Sequence, residues 1–352
     1  MSKIRIAIIG TGNIAHAHLG GYQKLPNVEI AAACDPNPEK LRKFADEFGI
    51  PNRFTDLDAL LAADLHLDAA DVCVWNCYHA SCAIKALNAG LHVLCEKPMA
   101  YNAREAQEMK AAAEKNGKLL MIGFVLRFSD DARIAMDFIE KGYLGDIYYS
   151  KAQYVRRHGN PGGWFADKAR SGGGPIIDLG VHVIDLTRYL MGNPRPVSVY
   201  AVASNRMGQR AHLKTAPSWR PEDARDSDPC TVEDFATALI RYDNGAATFL
   251  ETSYDLNGED IAKRQLFGTK GGMDLSNGVK IYTELNDYMA DIDVKTSDLK
   301  GSQDMFQAEM AHFVDCIENG TPCRASAEDG IAVMQILDAI YESARTGHEV
   351  VL

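Results

Sequence analysis

The sequence predicts a two-domain α/β protein, in which a doubly wound parallel sheet precedes an α+β domain with a large, mostly antiparallel sheet. Its 352 residues are many for a single hydrophobic core. Up to residue 124, β-branched runs alternate with helical patterns, whereas later strand patterns follow one another directly. We therefore predict domains over 1–124 and 125–352, and we expect that the last helices can pack back on the first domain.

The first domain has the strand and helix order of a Rossmann fold. Its predicted strands are KIRIAII, VEIAAACD, DAADVCVW, HVLCEKP and KLLMIGF, with helices near 13–24, 38–48, 56–65, 79–90 and 102–117. Strands that are almost continuously apolar favour a parallel sheet covered on both faces. Right-handed crossovers then produce the doubly wound arrangement.

The second domain combines helices with consecutive strands. Helices are predicted near 129–141, from Pro175 through the segment that ends at 192, near 303–318 and near 326–346. A glycine-rich loop precedes the second of them, and strands are predicted at DIYYSKAQYVRR, VSVYAVASN, VEDFATALIRYDNG and AATFLETSYDL. The DNG turn joins the last two strands as a hairpin. Residues 207–230 contain three prolines and predict a long surface excursion.

Composition excludes several classes of protein. The chain is 46% hydrophobic and 24% charged, and no apolar run is long enough to span a bilayer. A net charge of -11 disfavours general binding to nucleic acid or anionic membranes. The apolar run of MSKIRIAIIG is too short for a signal peptide, so we expect a cytoplasmic protein. Eight cysteines without a CxxC motif predict reduced structural thiols, and we prefer this to a metal site at Cys73, Cys77 and Cys82.

A glycine motif, GTGNIA at 10–15, follows the first strand and opens a helix. Gly10 permits a tight turn, and Gly12 lets a pyrophosphate approach the backbone. The helix start at Thr11, Asn13 and Ile14 then offers N–H groups to that anion.

Asp35 ends the second strand, where a carboxylate accepts hydrogen bonds from both adenosine ribose hydroxyls and repels a 2′-phosphate. These features predict NAD rather than NADP as the cofactor. The alternative is that Asp35 only caps the helix that starts near Pro38.

Two further strands end in VWNCYH and CEKP, and ligands bind at the carboxyl ends of strands in such sheets. The residues predicted at this cofactor edge are Trp75, Asn76, His79, Glu96 and Lys97. For His79, a plain position at a helix N-terminus is an equally good interpretation. For Lys97 a functional role is favoured, because Pro98 fixes the backbone directly after it.

The segment GGGPIIDLGVHVIDLTRYLMG, residues 172–192, places Asp178, His182 and Asp185 at i, i+4 and i+7 of an apolar helix. Burying three unpaired polar groups would cost a few kcal/mol each. A functional site is therefore favoured over a buried Asp–His pair, and a metal site made of all three is a weaker alternative. Asp185 could instead pair with Arg188 or support His182 from behind.

The GxGxxA motif, EKP and GGGPIIDLGVHVIDL together resemble the Gfo/Idh/MocA family of oxidoreductases, the glucose-fructose oxidoreductase and inositol dehydrogenase group. The resemblance covers nearly the whole chain. It implies that Lys97, Asp178 and His182 are catalytic and substrate-binding, and it calls for no metal. The family often has Thr-Pro-Asn-x-x-His after the fourth strand, where this chain has Val-Trp-Asn-Cys-Tyr-His, so Trp75 could pack near the adenine or the pyrophosphate loop.

Oxidising a secondary alcohol requires a hydride acceptor and a base for the hydroxyl proton. Histidine titrates near neutrality, so His182 is the favoured base, with Lys97 polarising the reacting oxygen and Asp178 orienting the substrate or the imidazole. The roles of His182 and Lys97 could be exchanged. An aromatic face beside polar donors suits a sugar or cyclitol ring, which makes Arg127, Arg157 and Trp164 the predicted substrate contacts.

The predicted function is NAD-dependent oxidation of a ring secondary hydroxyl of a sugar, glycoside or inositol to a ketone. The roomy loops before residue 172 and at 207–230 favour a glycoside oxidised at C3. The alternatives are glycoside cleavage through a transient ketone, with NADH reoxidised in place, and a non-catalytic NAD-binding regulator. The resemblance also implies a homo-oligomer, a dimer or a tetramer.

Overall fold

The computed structural model describes residues 3–210, 212–217, 219–221, 224–225, 227–296 and 299–352. The predicted excursion at 207–230 therefore lies partly outside the described residues. The chain divides into two compact units. The first unit contains Met1–Phe128 and Gln303–Ile331, and the second contains Ser129–Ser302 and Ala332–Leu352.

The first unit alternates strands and helices along the chain. Its strands are β1 (Ile4–Ile9), β2 (Val28–Cys34), β3 (Asn52–Phe54), β4 (Ala69–Val72), β5 (His92–Glu96) and β6 (Leu120–Gly123). Its helices are α1 (Asn13–Tyr22), α2 (Pro38–Phe48), α3 (Leu57–Ala62), α4 (His79–Asn88), α5 (Ala103–Asn116) and, from the second segment, α9 (Met305–Asn319). The sequence pattern missed β3 because three residues are too few to show an alternation.

Among the described residues of the first unit, six strands form one sheet in the order β3-β2-β1-β4-β5-β6, and all of them pair in parallel. Strands β4 and β6 are buried along their whole length, as expected for a sheet covered on both faces. This is the predicted Rossmann fold. The strand order reverses between β1 and β4, which is where such sheets bind dinucleotides.

The second unit contains strands β7 (Ile147–Val155), β8 (Pro196–Ser204), β9 (Phe235–Tyr242), β10 (Ala247–Ser253), β11 (Ile261–Gly268), β12 (Gly272–Asp274), β13 (Lys280–Leu285), β14 (Tyr288–Asp293) and β15 (Val350–Val351). In the part of the chain that the structure describes, they form one sheet in the order β14-β13-β12-β11-β7-β10-β9-β8-β15. Only the β7–β10 pair in that order is parallel. The prediction of a mostly antiparallel sheet is confirmed.

The helices of the second unit are α6 (Asp130–Glu140), α7 (Lys168–Ser171) and α8 (Val181–Leu190), and α10 (Ala327–Thr346) runs through the boundary between the two segments. The glycine loop ahead of the predicted helix is present, but the helix itself does not begin as a regular α-helix. A glycine loop comes first, then a five-residue π-helical turn, Ile176–Gly180, and only then α8. Wider turns of this kind occur mainly at functional sites.

Candidate active site

The nucleotide half of the predicted site begins at the turn between β1 and α1. Gly10 has φ +92°, and a Cβ there would lie 2.5 Å from the carbonyl oxygen of Cys73 at the end of β4. Gly12 precedes α1, has no capping side chain, and a Cβ there would meet nothing within 4 Å. The helix therefore presents uncapped N–H groups beside open space, which fits a pyrophosphate.

Substitution of Gly12 should weaken dinucleotide binding, whereas substitution of Gly10 should lower the stability of the fold. Gly12→Val should leave the free energy of unfolding within about 1 kcal/mol of the wild type, because a Cβ at this position would meet no other atom within 4 Å. It should raise the Kd for a nicotinamide dinucleotide at least about tenfold, because the side chain fills the space for the pyrophosphate. Gly10→Ala should instead cost about 2–3 kcal/mol of stability. Urea denaturation and dinucleotide titration check both, and undiminished dinucleotide binding by Gly12→Val would contradict the assignment.

Asp35 is held in place by the glycine turn itself. Its Oδ2 accepts hydrogen bonds from the backbone N of Thr11 at 3.0 Å and from Thr11 Oγ1 at 2.9 Å, and its Oδ1 accepts from the backbone N of Asn37 at 2.8 Å. A carboxylate has about four acceptor positions, so capacity remains for a ribose hydroxyl. The cap of α2 is Asn37, whose side chain accepts from the backbone N of Glu39 and of Lys40. The alternative that Asp35 serves as that cap was wrong.

A buried histidine, His18, contacts Glu96, and Glu96 in turn contacts the backbone of Lys97. His18, on α1, is fully buried between two carboxylates, with Nδ1 2.9 Å from Asp71 Oδ2 and Nε2 2.9 Å from Glu96 Oε1. Burial lowers the pKa of His18, but Asp71 and the Cys73 sulfur outweigh it and raise the pKa well above its usual value. The other oxygen of Glu96 accepts a hydrogen bond from the backbone N of Lys97 at 3.0 Å. Glu96 thus fixes the backbone of Lys97.

His18→Asn should destabilise the first unit by about 3–5 kcal/mol, because two buried carboxylates lose their shared cation. The folded pKa of His18 is raised, so its contribution is complete below the unfolded pKa of about 6.5 and is lost as pH rises through the folded pKa. The stability difference between wild type and variant should therefore narrow at alkaline pH. Urea denaturation across pH measures this, with the exposed His66→Asn as control. A difference in the free energy of unfolding between wild type and His18→Asn that grows as pH rises would contradict this prediction.

His79 is the first residue of α4 and is buried. Its Nδ1 lies 2.7 Å from the Pro98 carbonyl oxygen and its Nε2 3.1 Å from that of Val74. Burial lowers the pKa of His79, and a neutral ring carries one N–H, so it donates to one of the two carbonyl oxygens and packs against the other. His79 thus has a structural role here.

The indole of Trp75 stacks on Tyr78, with ring centroids 6.3 Å apart, and Asn76 starts the short helical turn between them. Trp75 and Asn76 follow β4, at the edge of the sheet where the cofactor is predicted to bind.

Arg127 is enclosed in the first unit. Its side chain is fully buried, and Nη1 donates to Asp329 Oδ2 at 2.9 Å and to the carbonyl oxygen of Arg324. The guanidinium also lies 5.1 Å from the centre of the Phe124 ring. This is the environment of a structural ion pair, so Arg127, predicted as a substrate contact, is not among the residues that we propose for the substrate.

In the second unit, a carboxylate organises the glycine segment before the π-helical turn. Glu233 Oε1 accepts hydrogen bonds from the backbone N of Gly174 at 3.0 Å, from that of Ile176 at 3.2 Å and from the Tyr341 hydroxyl at 2.9 Å. Burial raises the pKa of Glu233, although these hydrogen bonds oppose the change. A Cβ on Gly173 would lie 1.8 Å from the Tyr341 oxygen, so this close approach requires glycine. The sequence motif did not point to Glu233 or Tyr341.

Asp178 lies in the π-helical turn, near one tyrosine hydroxyl and one arginine. The buried Tyr254 hydroxyl donates to Asp178 Oδ2 at 3.0 Å. Burial and then Asp178 raise the pKa of Tyr254, which keeps this donor protonated. Arg156 donates to the Tyr154 hydroxyl at 3.2 Å; burial lowers the pKa of Arg156, but Tyr154, Asp178 and Tyr254 together raise it. Asp178 thus lies in a polar cluster with a fixed donor and a nearby cation.

His182 lies one turn after Asp178, in the first turn of α8, and is half-buried. Asp185 is deeper, at 1% exposure. Arg188 donates to the Pro194 carbonyl oxygen at 2.9 Å and to the Asn193 carbonyl oxygen at 3.0 Å. Asp178 and His182 are therefore the more accessible members of the predicted polar stripe.

The predicted substrate contacts Arg157 and Trp164 differ in their surroundings. Arg157 is exposed, and its backbone N donates to Asp260 Oδ1 at 2.6 Å. Arg156, next to it, is the one that belongs to the Asp178 cluster, because Asp178, Tyr254 and Tyr154 all act on its guanidinium. Trp164 packs on Phe165 with ring centroids 4.0 Å apart, and Phe165 meets Trp219 edge-on at 5.4 Å.

Both halves of the chain match models of one protein family. Residues 4–124 match its NAD-binding Rossmann fold, and residues 137–352 match its C-terminal alpha/beta domain. This chain belongs to the Gfo/Idh/MocA oxidoreductase family. The predicted resemblance, the enzyme class and the dinucleotide-binding fold are confirmed.

Members of the Gfo/Idh/MocA family resemble the chain over its full length. D-glucoside 3-dehydrogenase of Escherichia coli K12 is 34% identical, with 100% of this chain and 98% of that protein aligned. A solved structure of levoglucosan dehydrogenase with NADH and L-sorbose has a TM-score of 0.86 at 25% identity, covering 100% of this chain and 99% of the other. Aldose-aldose oxidoreductase of Caulobacter crescentus, solved with glycerol, has a TM-score of 0.81 at 27% identity, covering 99% and 100%.

Proposed function

We propose that the chain is an NAD-dependent dehydrogenase that oxidises a ring secondary hydroxyl of a carbohydrate to a ketone, at C3 of a D-glucoside. The observation that supports this most is the Asp178 cluster, in which a buried tyrosine donor and a nearby arginine hold the carboxylate one turn before His182. It occurs in an oxidoreductase family member whose relative at 34% identity is named a D-glucoside 3-dehydrogenase.

We assign the chemistry to three side chains. His182 accepts the proton of the substrate hydroxyl, since histidine exchanges protons near neutrality. Asp178, already held by Tyr254, accepts a hydrogen bond from the sugar and orients it. Lys97, whose backbone Glu96 fixes, donates a hydrogen bond to the reacting oxygen. Bound NAD supplies the hydride acceptor.

We assign the cofactor to the first unit. The uncapped start of α1 after Gly12, with Thr11, Asn13 and Ile14, receives the pyrophosphate, and Asp35 receives the adenosine ribose. The segments after β4 and β5 complete this edge with Trp75, Asn76 and Lys97.

The assignment of Asp35 predicts a change in cofactor preference. Asp35→Ser should raise KM for NAD about 10–100-fold and reduce the preference over NADP, because the ribose acceptor and the repulsion of a 2′-phosphate both disappear. Thr11→Val is the matched control, since it removes one of the hydrogen bonds that hold Asp35 but keeps the carboxylate. Steady-state kinetics with both cofactors measures the result. If Thr11→Val loses as much preference as Asp35→Ser, the ribose assignment is wrong.

A substrate screen tests the function itself. Methyl glucosides, free monosaccharides and cyclitols are each mixed with the enzyme and NAD, and absorbance of the reduced cofactor is followed. We expect net reduction of NAD with glucosides, with less from free sugars and inositols. Glycoside cleavage without accumulation of NADH would favour the transient-ketone mechanism. No reduction of NAD and no cleavage with any of these compounds would favour a non-catalytic regulator.

We also propose that the chain forms a homo-oligomer in the cytoplasm. On one face of the second unit's sheet, Tyr200, Val202 and Leu239 are 49%, 49% and 45% exposed, an unusual concentration of apolar surface. Within the described residues, no helix is both long and apolar enough to cross a bilayer. Eight free cysteines suit a reducing compartment.

A further inference from the structure

A second group of reactive side chains lies in the first unit, on residues that the proposed oxidation does not use. His312 and Cys316 are one turn apart on α9, and Cys323 lies in the loop that leads to α10. Their potential ligand atoms are all within 4.8 Å of one another, and His312 Nε2 is 3.4 Å from Cys316 Sγ. We propose that His312, Cys316 and Cys323 form a binding site for a thiophilic divalent metal ion such as zinc.

The spacing suits a tetrahedral ion. Zinc binds sulfur at about 2.3 Å and imidazole nitrogen at about 2.0–2.1 Å, which places tetrahedral ligand atoms roughly 3.5–3.8 Å apart. Atoms already within 4.8 Å reach these separations through small side-chain rotations. Two sulfurs and one imidazole are the soft donor set that zinc prefers, and water can occupy the fourth position.

Hydrogen bonds hold the three proposed ligands close to one another. The Cys323 sulfur is in hydrogen-bonding contact with Cys316, with His312 and with the backbone N–H of Ala325. His312 Nε2 accepts the backbone N–H of Arg324 at 3.0 Å, so this nitrogen carries a lone pair, and an incoming ion would have to displace that hydrogen bond to use it.

A comparison within the same unit shows that three potential ligands are not sufficient. His18, Asp71 and Cys73 also lie within 4.8 Å of one another. However, both nitrogens of His18 face carboxylates at 2.9 Å, and all three residues are almost inaccessible to solvent. That imidazolium has no lone pair for a metal. Cys323, by contrast, is partly exposed and gives an ion a path to its site.

Metal binding would join two parts of the unit. As each sulfur–metal bond forms, any proton still on that thiol is released to solvent. The ion would connect α9 to the loop at 320–326, which is attached to the sheet because the backbone N of Ile122 donates to the Ala325 carbonyl oxygen at 2.9 Å. The site would therefore stabilise the edge of the Rossmann sheet without taking part in the oxidation.

Cobalt is the direct probe of this site. The full chain is reduced, freed of metal with a chelator and titrated with Co²⁺, whose thiolate complexes absorb in the near ultraviolet and whose tetrahedral complexes absorb in the visible. We expect saturation at one ion per chain and displacement by Zn²⁺. Cys316→Ser and Cys323→Ser should each lose about half of the near-ultraviolet band and weaken zinc binding roughly a hundredfold or more. Cys82 lies outside the cluster, so Cys82→Ser should change neither the near-ultraviolet band nor the affinity for zinc.

A second measurement needs no variant. Zn²⁺ should slow alkylation of Cys323 in the wild-type chain at least about tenfold, as mapped by mass spectrometry, because a metal-bound thiolate is protected. Three results would each overturn the proposal: absence of the cobalt bands, bands of wild-type strength in the two cluster variants, or a rate of alkylation that Zn²⁺ does not change. So would a Cys316–Cys323 disulfide that forms readily while no metal binds, since this would identify the pair as a redox site.

Discussion

Replacing His182 by asparagine is expected to lower kcat about 10²–10⁴-fold, the usual contribution of a positioned general base. Asparagine keeps a polar group of similar size in the first turn of α8 but cannot accept the hydroxyl proton. KM for the glycoside should change far less than kcat, because Asp178, Tyr254 and Arg156 remain in place. Steady-state kinetics measures both constants, and the exposed His348→Asn serves as control.

The pH profile separates the two candidates for the base. A histidine base must be deprotonated to act, so kcat/KM of the wild type should fall as the pH is lowered. His182→Asn should lose this acid limb. If the limb persists in His182→Asn and disappears in the Lys97 variant, the roles of His182 and Lys97 are exchanged.

Replacing Lys97 by methionine is expected to lower kcat by roughly 10²–10⁴-fold as well. Methionine preserves much of the length of the side chain but cannot donate a hydrogen bond to the reacting oxygen. The Kd for NAD, measured by titration, should rise less than about tenfold, since the glycine turn and Asp35 are unchanged. Lys85→Met on α4 is the matched control, because Lys85 contacts Asp58 on the surface. A loss of less than tenfold in kcat would contradict the assignment.

Much of the Rossmann unit could be predicted from the sequence, because buried parallel strands leave continuous apolar runs and the glycine motif marks the turn after β1. The second unit was less predictable. Strands β11–β14 expose apolar as well as polar residues, so their alternation is weak. The change from glycine loop to π-helical turn depends on Glu233 and Tyr341, which are distant in sequence and leave no periodic pattern near residue 174.

The candidate site was predictable where a motif defines it and less so elsewhere. Lys97, Asp178 and His182 were found from short motifs. Tyr254 was missed because no motif links the end of β10 to the π-helical turn. The sequence favoured Arg157 as a substrate contact, whereas in the structure Arg156 belongs to the Asp178 cluster and Arg157 is exposed, and no local pattern after β7 distinguishes the two.

Burial explains the remaining differences between sequence and structure. Arg127 follows the last Rossmann strand, but the acid that pairs with it, Asp329, is 202 residues later in the chain. Cys323, in contrast, is close in sequence to His312 and Cys316, but the spacing of the three residues matches no familiar metal motif. Contacts between distant segments are what local patterns do not encode.

The most direct test of the proposed reaction follows one hydrogen atom. Methyl glucoside with deuterium at C3 is mixed with the enzyme and NAD, and the reduced cofactor and the sugar product are examined by mass spectrometry and NMR. We predict that the deuterium appears in the reduced cofactor, that the product is the 3-ketone, and that turnover is slower than with unlabelled substrate. Deuterium retained at C3 while NAD is reduced would contradict oxidation at that carbon.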